Sequence, residues 1–153
     1  MNDERLVLDK FLPYRLSVLS NRLSAAIAEA YSRRFGLSIP EWRVVAVLAL
    51  NPGLSAAEVA ERTAMDKVAV SRAVRRLLST GRARREMAPG DRRRSVLELT
   101  PEGRQVYRRI TPALRRYEAA LLAGLSGRDQ RQLDAILRRL EQHSATVSPP
   151  RIE

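Results

Sequence analysis

The chain has 153 residues, no cysteine, a single histidine and a net charge of +11. That length makes one domain, or one core domain with helical extensions, and a hydrophobic fraction of 44% is enough for a core. Without thiols there can be no disulfide, thiolate metal site or thiol redox sensor, and one histidine (His143) is too few for a histidine metal centre, so neither a metal nor a cofactor is expected.

Residues 6–35 place Leu8, Phe11, Leu12, Leu16, Leu19, Leu23, Ala26, Ile27, Ala30 and Tyr31 at helical spacing. Pro13 sets the start of this helix or a kink in it, and Gly36 stops it. Ser38-Ile39-Pro40-Glu41 opens a second helix with Trp42, Val44, Val45, Val47, Leu48 and Leu50, which Asn51-Pro52-Gly53 ends. Ser55 and Glu58 form a capping box for a short helix at about 56–62. After Thr63-Ala64-Met65, Asp66 caps a helix of roughly 67–79. Two short helices joined this tightly are a helix-turn-helix signature.

At 100° per residue, Val70, Ala73, Val74, Leu77 and Leu78 share one side of the 67–79 helix, while Val68, Arg72, Arg75 and Arg76 share the other, with Ala69 at its edge. Residues 83–87 and 95–99 read as two strands, and the run Gly90-Asp91-Arg92-Arg93-Arg94 reads as the hairpin tip. Thr100-Pro101-Glu102 restarts a helix to about 123, with Val106, Ile110, Leu114, Tyr117 and Leu121 on one stripe. Ser126 and Asp129 cap a last helix that carries Leu133, Ile136, Leu137 and Leu140.

The charge is concentrated within this order. Residues 62–116 hold fifteen Arg and one Lys against five acids, so their excess equals the charge of the whole chain, and the remaining residues balance. Such a concentration is the footprint of a polyanion partner, and helix-turn-helix followed by a basic hairpin points to duplex DNA. The fold class expected is mainly α with a small β-hairpin wing.

The segment 53–107, and above all DRRRSVLELTPEGR at 91–104, resembles the MarR family of bacterial transcription regulators. DKVAVSRAVRRL at 66–77 is similar to that family's recognition helix, and the flanking helices match in number and order. The resemblance implies a homodimer with residues 1–35 and 101–146 as dimerisation helices, 36–100 as the winged DNA-binding lobe, and 147–153 as a frayed tail. Apolar stripes on the outer helices agree with a partner copy.

For a recognition helix in the major groove, Lys67, Ser71, Arg72, Arg75 and Arg76 reach phosphates or base edges, while Val68 and Ala69 can meet thymine methyls. The resemblance assigns Arg93 to the minor groove and leaves Asp91 to brace a wing arginine; Arg84, Arg85, Arg92 and Arg94 serve phosphates. Two-fold symmetry implies a pseudo-palindromic site. The resemblance also implies a pocket for a small anionic or aromatic effector, with Tyr14, Arg15, Asn21, Arg22, Trp42 and Arg43 as candidate liners.

Other classes have less behind them. No nucleophile-base arrangement surrounds His143, and there is no glycine-rich phosphate loop, so no enzyme is expected. A non-switching architectural DNA-binding protein would share the charge and fold. No apolar run approaches the ~20 residues that span a bilayer, and the start MNDERLVLDKF lacks the order of a signal peptide, so a cytoplasmic location with no membrane partner is expected.

Overall fold

The computed structural model describes residues 5–151, apart from the side chain of Arg92. A 3-10 turn, Leu8–Lys10, precedes α1, Leu12–Phe35. Pro13 lies in the first turn of α1, where a missing N–H costs nothing because no intrahelical acceptor faces it, so it starts the helix and does not kink it. Two capping boxes begin the next elements. Ser38 accepts the Glu41 N–H and Glu41 accepts the Ser38 N–H at α2, Ile39–Leu50. Ser55 and Glu58 repeat the pattern at α3, Ala56–Thr63. Ala64, at a left-handed φ of 51°, makes the sharp turn, and Asp66 accepts the Ala69 N–H at 2.8 Å to start α4, Lys67–Ser79.

The hairpin strands are β1, Ala83–Ala88, and β2, Asp91–Leu99. They are followed by α5, Pro101–Leu122, and α6, Gly127–Ser144. Pro112 sits inside α5 without ending it. The core gathers Val44, Val45 and Leu48 of α2, Val59 of α3, and Val70, Ala73, Val74 and Leu77 of α4. Tyr31, Leu37, Leu97, Leu99 and Ile110 complete its centre. Each large side chain fully buried here contributes about 1.5–3 kcal/mol of transfer free energy. Residues up to Leu114 form one compact unit and those from Arg115 a second; α6, in the second, has no buried residue. This grouping places the N-terminal helix, the lobe and the first half of α5 in one unit. Among the described residues, no helix is long and apolar enough to cross a membrane.

Two features depart from the sequence expectation. Residues beyond Asn51-Pro52-Gly53 do more than stop a helix: the Leu97 N–H donates to the Leu54 carbonyl at 2.8 Å and the Gly53 N–H to the Leu97 carbonyl at 3.0 Å. The second edge of β2 is therefore held to the lobe. In addition, β2 begins at Asp91 and not at 95, so the arginine run belongs to the strand and the turn is Pro89-Gly90, with Gly90 at φ 82°. Pairing runs regularly from Ala83↔Leu99 to Met87↔Ser95 and then jumps to Ala88↔Asp91. Arg92, Arg93 and Arg94 consequently have no opposite residue on β1 and form a bulge, which bends the strand and re-aims its side chains.

The wing base is locked to α5. The Thr100 N–H donates to the Arg82 carbonyl at 3.1 Å, and the Thr100 hydroxyl donates to the Gly81 carbonyl and accepts the Gly103 N–H. A methyl group on Gly103 would collide with the Arg82 carbonyl, so only glycine lets α5 approach this backbone. Gly103→Ala is expected to lower stability by about 1–3 kcal/mol through this overpacking, read as a reduced urea midpoint at unchanged slope; an unaltered midpoint would show that the close approach is not required.

Candidate nucleic-acid interface

Packing of α4 decides which residues reach outward. With Val70, Ala73, Val74 and Leu77 buried, the opposite face exposes Lys67, Val68, Ser71, Arg72, Arg75 and Arg76, and half-exposes Ala69. Val68 is 59% exposed, so it does not pack against the preceding turn. Arg72, Arg75, Arg76 and Ser79 border a shallow hollow of about 380 Å³. Three guanidiniums around one hollow repel each other, and an anion seated among them relieves the repulsion.

The wing sorts its arginines. Arg93 is exposed, and its main-chain N–H donates to Asp91 Oδ1 at 2.9 Å. Asp91 therefore holds an arginine of the wing through its main chain, where the bulge leaves residues 92–94 without an opposite residue on β1. Arg94 does not stand free for a phosphate. Its Nη2 lies 2.7 Å from both carboxylate oxygens of Glu58 on α3. Arg84 is likewise engaged, with Glu98 at 2.8 Å and Glu86 at 2.9 Å. Arg85 is exposed, and Arg92 falls outside the described side chains. Sequence reasoning missed Glu58 as anything beyond a cap, since nothing local pairs residues this far apart.

The six candidate effector liners do not converge. Tyr14, Arg15 and Arg22 border a groove of about 460 Å³ along α1, with Asp9, Leu12, Leu16, Val18 and Leu19. Asn21 is exposed on α1 but is not among the residues bordering that groove. Trp42 is instead stacked between Tyr31, at 5.5 Å and 29°, and Tyr107, at 5.8 Å and 16°. Both faces of the indole are occupied, because three flat rings bury more apolar area stacked than apart. Arg43 turns to α1 and donates to Ser24 Oγ at 3.2 Å. Burial pushes the Tyr31 phenol up, with Arg43 pulling the other way, so the hydroxyl stays protonated.

The Glu58 carboxyl is held down to about 2, first by the Ser55 main-chain N–H, then by the Arg94 guanidinium and the Ser55 hydroxyl. A lowered folded-state value means that this contribution to stability is complete above the unfolded value and is lost as the pH falls through the folded one. The stability difference between the wild type and Glu58→Gln is expected to be flat from pH 8 to about 4.5 and to shrink between there and about 2, followed by urea unfolding at each pH. A difference already gone near neutral pH would contradict the assignment.

The family model described as MarR family matches residues 35–94, from the end of α1 to the wing bulge. HTH-type transcriptional repressor Rv2887 of Mycobacterium tuberculosis is 30% identical over 131 residues, which span 85% of this chain and 91% of that relative. A MarR/EmrR family transcriptional regulator from Acinetobacter sp. ADP1 has a similar structure, with a TM-score of 0.84 at 25% identity over 93% of this chain and 100% of that one. The PcaV transcriptional regulator from Streptomyces coelicolor, solved in complex with its natural ligand, gives a TM-score of 0.70 at 27% identity over 92% and 98% of the two chains. With its basic recognition face, its wing and these relatives, the chain belongs to the MarR family of DNA-binding transcription regulators.

Proposed function

We propose that two copies of this chain bind one pseudo-palindromic operator and repress transcription until a small ligand releases them. The observation that carries this reading is the exposed face of α4, which presents Lys67, Ser71, Arg72, Arg75 and Arg76, the three arginines bordering, with Ser79, the hollow of about 380 Å³. An arginine fork on guanine is worth about 1–3 kcal/mol of discrimination. Val68 and Ala69 offer thymine methyls an apolar surface at the start of the helix. Arg93 enters the minor groove beside each half-site, where a narrow AT-rich groove has the strongest negative potential. Arg85 and Arg92 serve phosphates, which position the protein without reading sequence.

A second copy is supported by the apolar surface left on the outer helices. Leu133, Ile136, Leu137 and Leu140 of α6 are 38–44% exposed, and Leu121 of α5 is 48% exposed. An apolar stripe of this length in water favours association. The ligand we assign to the α1 groove is an aromatic or aliphatic acid, with Arg15 and Arg22 pairing its carboxylate above Leu12, Leu16 and Leu19. That PcaV is solved with a natural ligand supports a ligand role for this fold. Such a ligand releases DNA only by binding the DNA-free arrangement more tightly. No covalent chemistry enters this function, and its place is with the chromosome in the cytoplasm.

Anisotropy titrations against DNA upstream of the protein's own gene, with a scrambled duplex as competitor, should show a preference of about a thousandfold or more. Affinity should fall by orders of magnitude between about 50 and 200 mM salt. Equal binding of both duplexes would mean that the operator lies elsewhere or that the protein is architectural, which a genome-wide pull-down then separates, and a flat salt response would remove the phosphate contacts from the reading. Sedimentation equilibrium should give a dimer for the wild type and a monomer for Leu137→Glu on α6. A dimer in both would place the interface elsewhere.

A further inference from the structure

Residues 92–94 have no opposite residue on β1, so regular strand pairing does not set their direction. Two other bonds take over. Asp91 holds the Arg93 amide from within the wing, and Glu58 holds the Arg94 guanidinium from α3. Only the second reaches outside the hairpin, and it acts on the residue next to Arg93.

We propose that Glu58 and Arg94 form a clasp between α3 and the wing that sets where Arg93 points, so that Glu58 is a positioning residue for DNA binding although it cannot itself contact DNA favourably. The inference rests on the minor-groove role given to Arg93 above. Glu58 is a firm anchor. Its carboxylate accepts the Ser55 N–H at 2.7 Å and its own N–H donates to Ser55 Oγ at 3.3 Å, so the side chain is fixed in the first turn of α3. A negative charge there is also favoured by the positive end of the helix dipole. Arg94 reaches both oxygens through one nitrogen, Nη2, at 2.7 Å, which keeps its guanidinium against the Glu58 carboxylate. Val59 and Ala60 of α3 are buried in the same core as Val70 and Val74 of α4, so the clasp ties the wing to the body that carries the recognition helix. The pair is half exposed, with 49% and 39% of the two side chains accessible, so its effect on overall stability is small and its use is geometric.

Coulomb's law alone predicts the opposite consequence for Glu58: removing an acid from a DNA-facing surface should strengthen binding. This difference in sign makes the proposal testable. The wild type, Glu58→Gln, Arg94→Gln and the double variant are titrated with the operator duplex over a salt series. Glutamine keeps the capping box, so α3 retains its start. Each single variant is expected to bind about fivefold more weakly, and the double variant no more weakly than either. Hydroxyl-radical footprints of Glu58→Gln should lose minor-groove protection in the flanks while the major-groove contacts stay protected, which partial unfolding would not produce. Unchanged or tighter binding by Glu58→Gln, or additive losses in the double variant, overturns the clasp. Should Glu58→Gln not fold, Arg94→Gln decides alone: a salt slope lower by about one marks a phosphate contact and overturns the proposal, whereas weaker binding at unchanged slope upholds it. A wild type that does not prefer the operator overturns the DNA-reading model and the clasp together, while a discriminating wild type with an additive cycle overturns the clasp alone.

Discussion

Burial of one side of α4 is the constraint on which the rest depends. A helix of thirteen residues that packs Val70, Ala73, Val74 and Leu77 into the core has no freedom left in its rotation, and every other side chain on it is aimed by that choice. Arg72, Arg75 and Arg76 are held together on the outside because Val70, Val74 and Leu77 hold together on the inside. The mutual repulsion of the guanidiniums is sustained by the apolar burial behind them. The burial is worth about 1.5–3 kcal/mol for each large side chain, against about 1 kcal/mol for like charges 4 Å apart in water. A face held open at that cost is prepared to receive anions.

The wing is built on the opposite logic. A two-stranded hairpin is marginal by itself in water, and this one carries arginines at its end. Three attachments make it part of the lobe: the bridge from Leu97 to Leu54, the lock between Thr100 and the Arg82 carbonyl, and the Arg94 contact to Glu58. Carboxylates also divide the arginines by task. Arg84 is occupied by Glu98 and Glu86 and stiffens the hairpin, Arg94 is occupied by Glu58, and Arg93 is left exposed between them.

Elements with a local cause could be read in the sequence. The start of α2, α3, α4 and α6 each follows from a Ser or Asp whose oxygen meets an N–H three residues on. The buried face of α4 follows from a 3.6-residue period. What depends on distant partners could not be read. The Leu54 bridge is a single residue and has no alternation to detect. The bulge at 92–94 depends on where β1 stops pairing, and its arginines, read as a turn, give no sign of strand geometry. The resemblance counts Trp42 among the liners of a pocket, whereas its stacking partners are Tyr31 and Tyr107, eleven and sixty-five residues away in the chain. The link between Glu58 and Arg94 crosses from one element to another and is visible only once both are folded.

The arrangement of charge bears on discrimination as well as attraction. Sixteen bases in residues 62–116 would, if all met phosphates, hold any duplex tightly, since each neutralised phosphate adds the same affinity whatever the sequence. Such a protein would be trapped on the bulk of the genome, where sites that are not its own outnumber its own by about a million or more. Turning Arg84 and Arg94 onto carboxylates removes two bases from that sequence-independent account and converts them into geometry. Among the bases left exposed and without such a partner are Arg93 in the bulge and the row on α4, where placement relative to bases and groove width matters most. A smaller number of well-aimed charges raises the ratio of operator to random binding even as it lowers total affinity, and that ratio is what a transcription regulator is selected for.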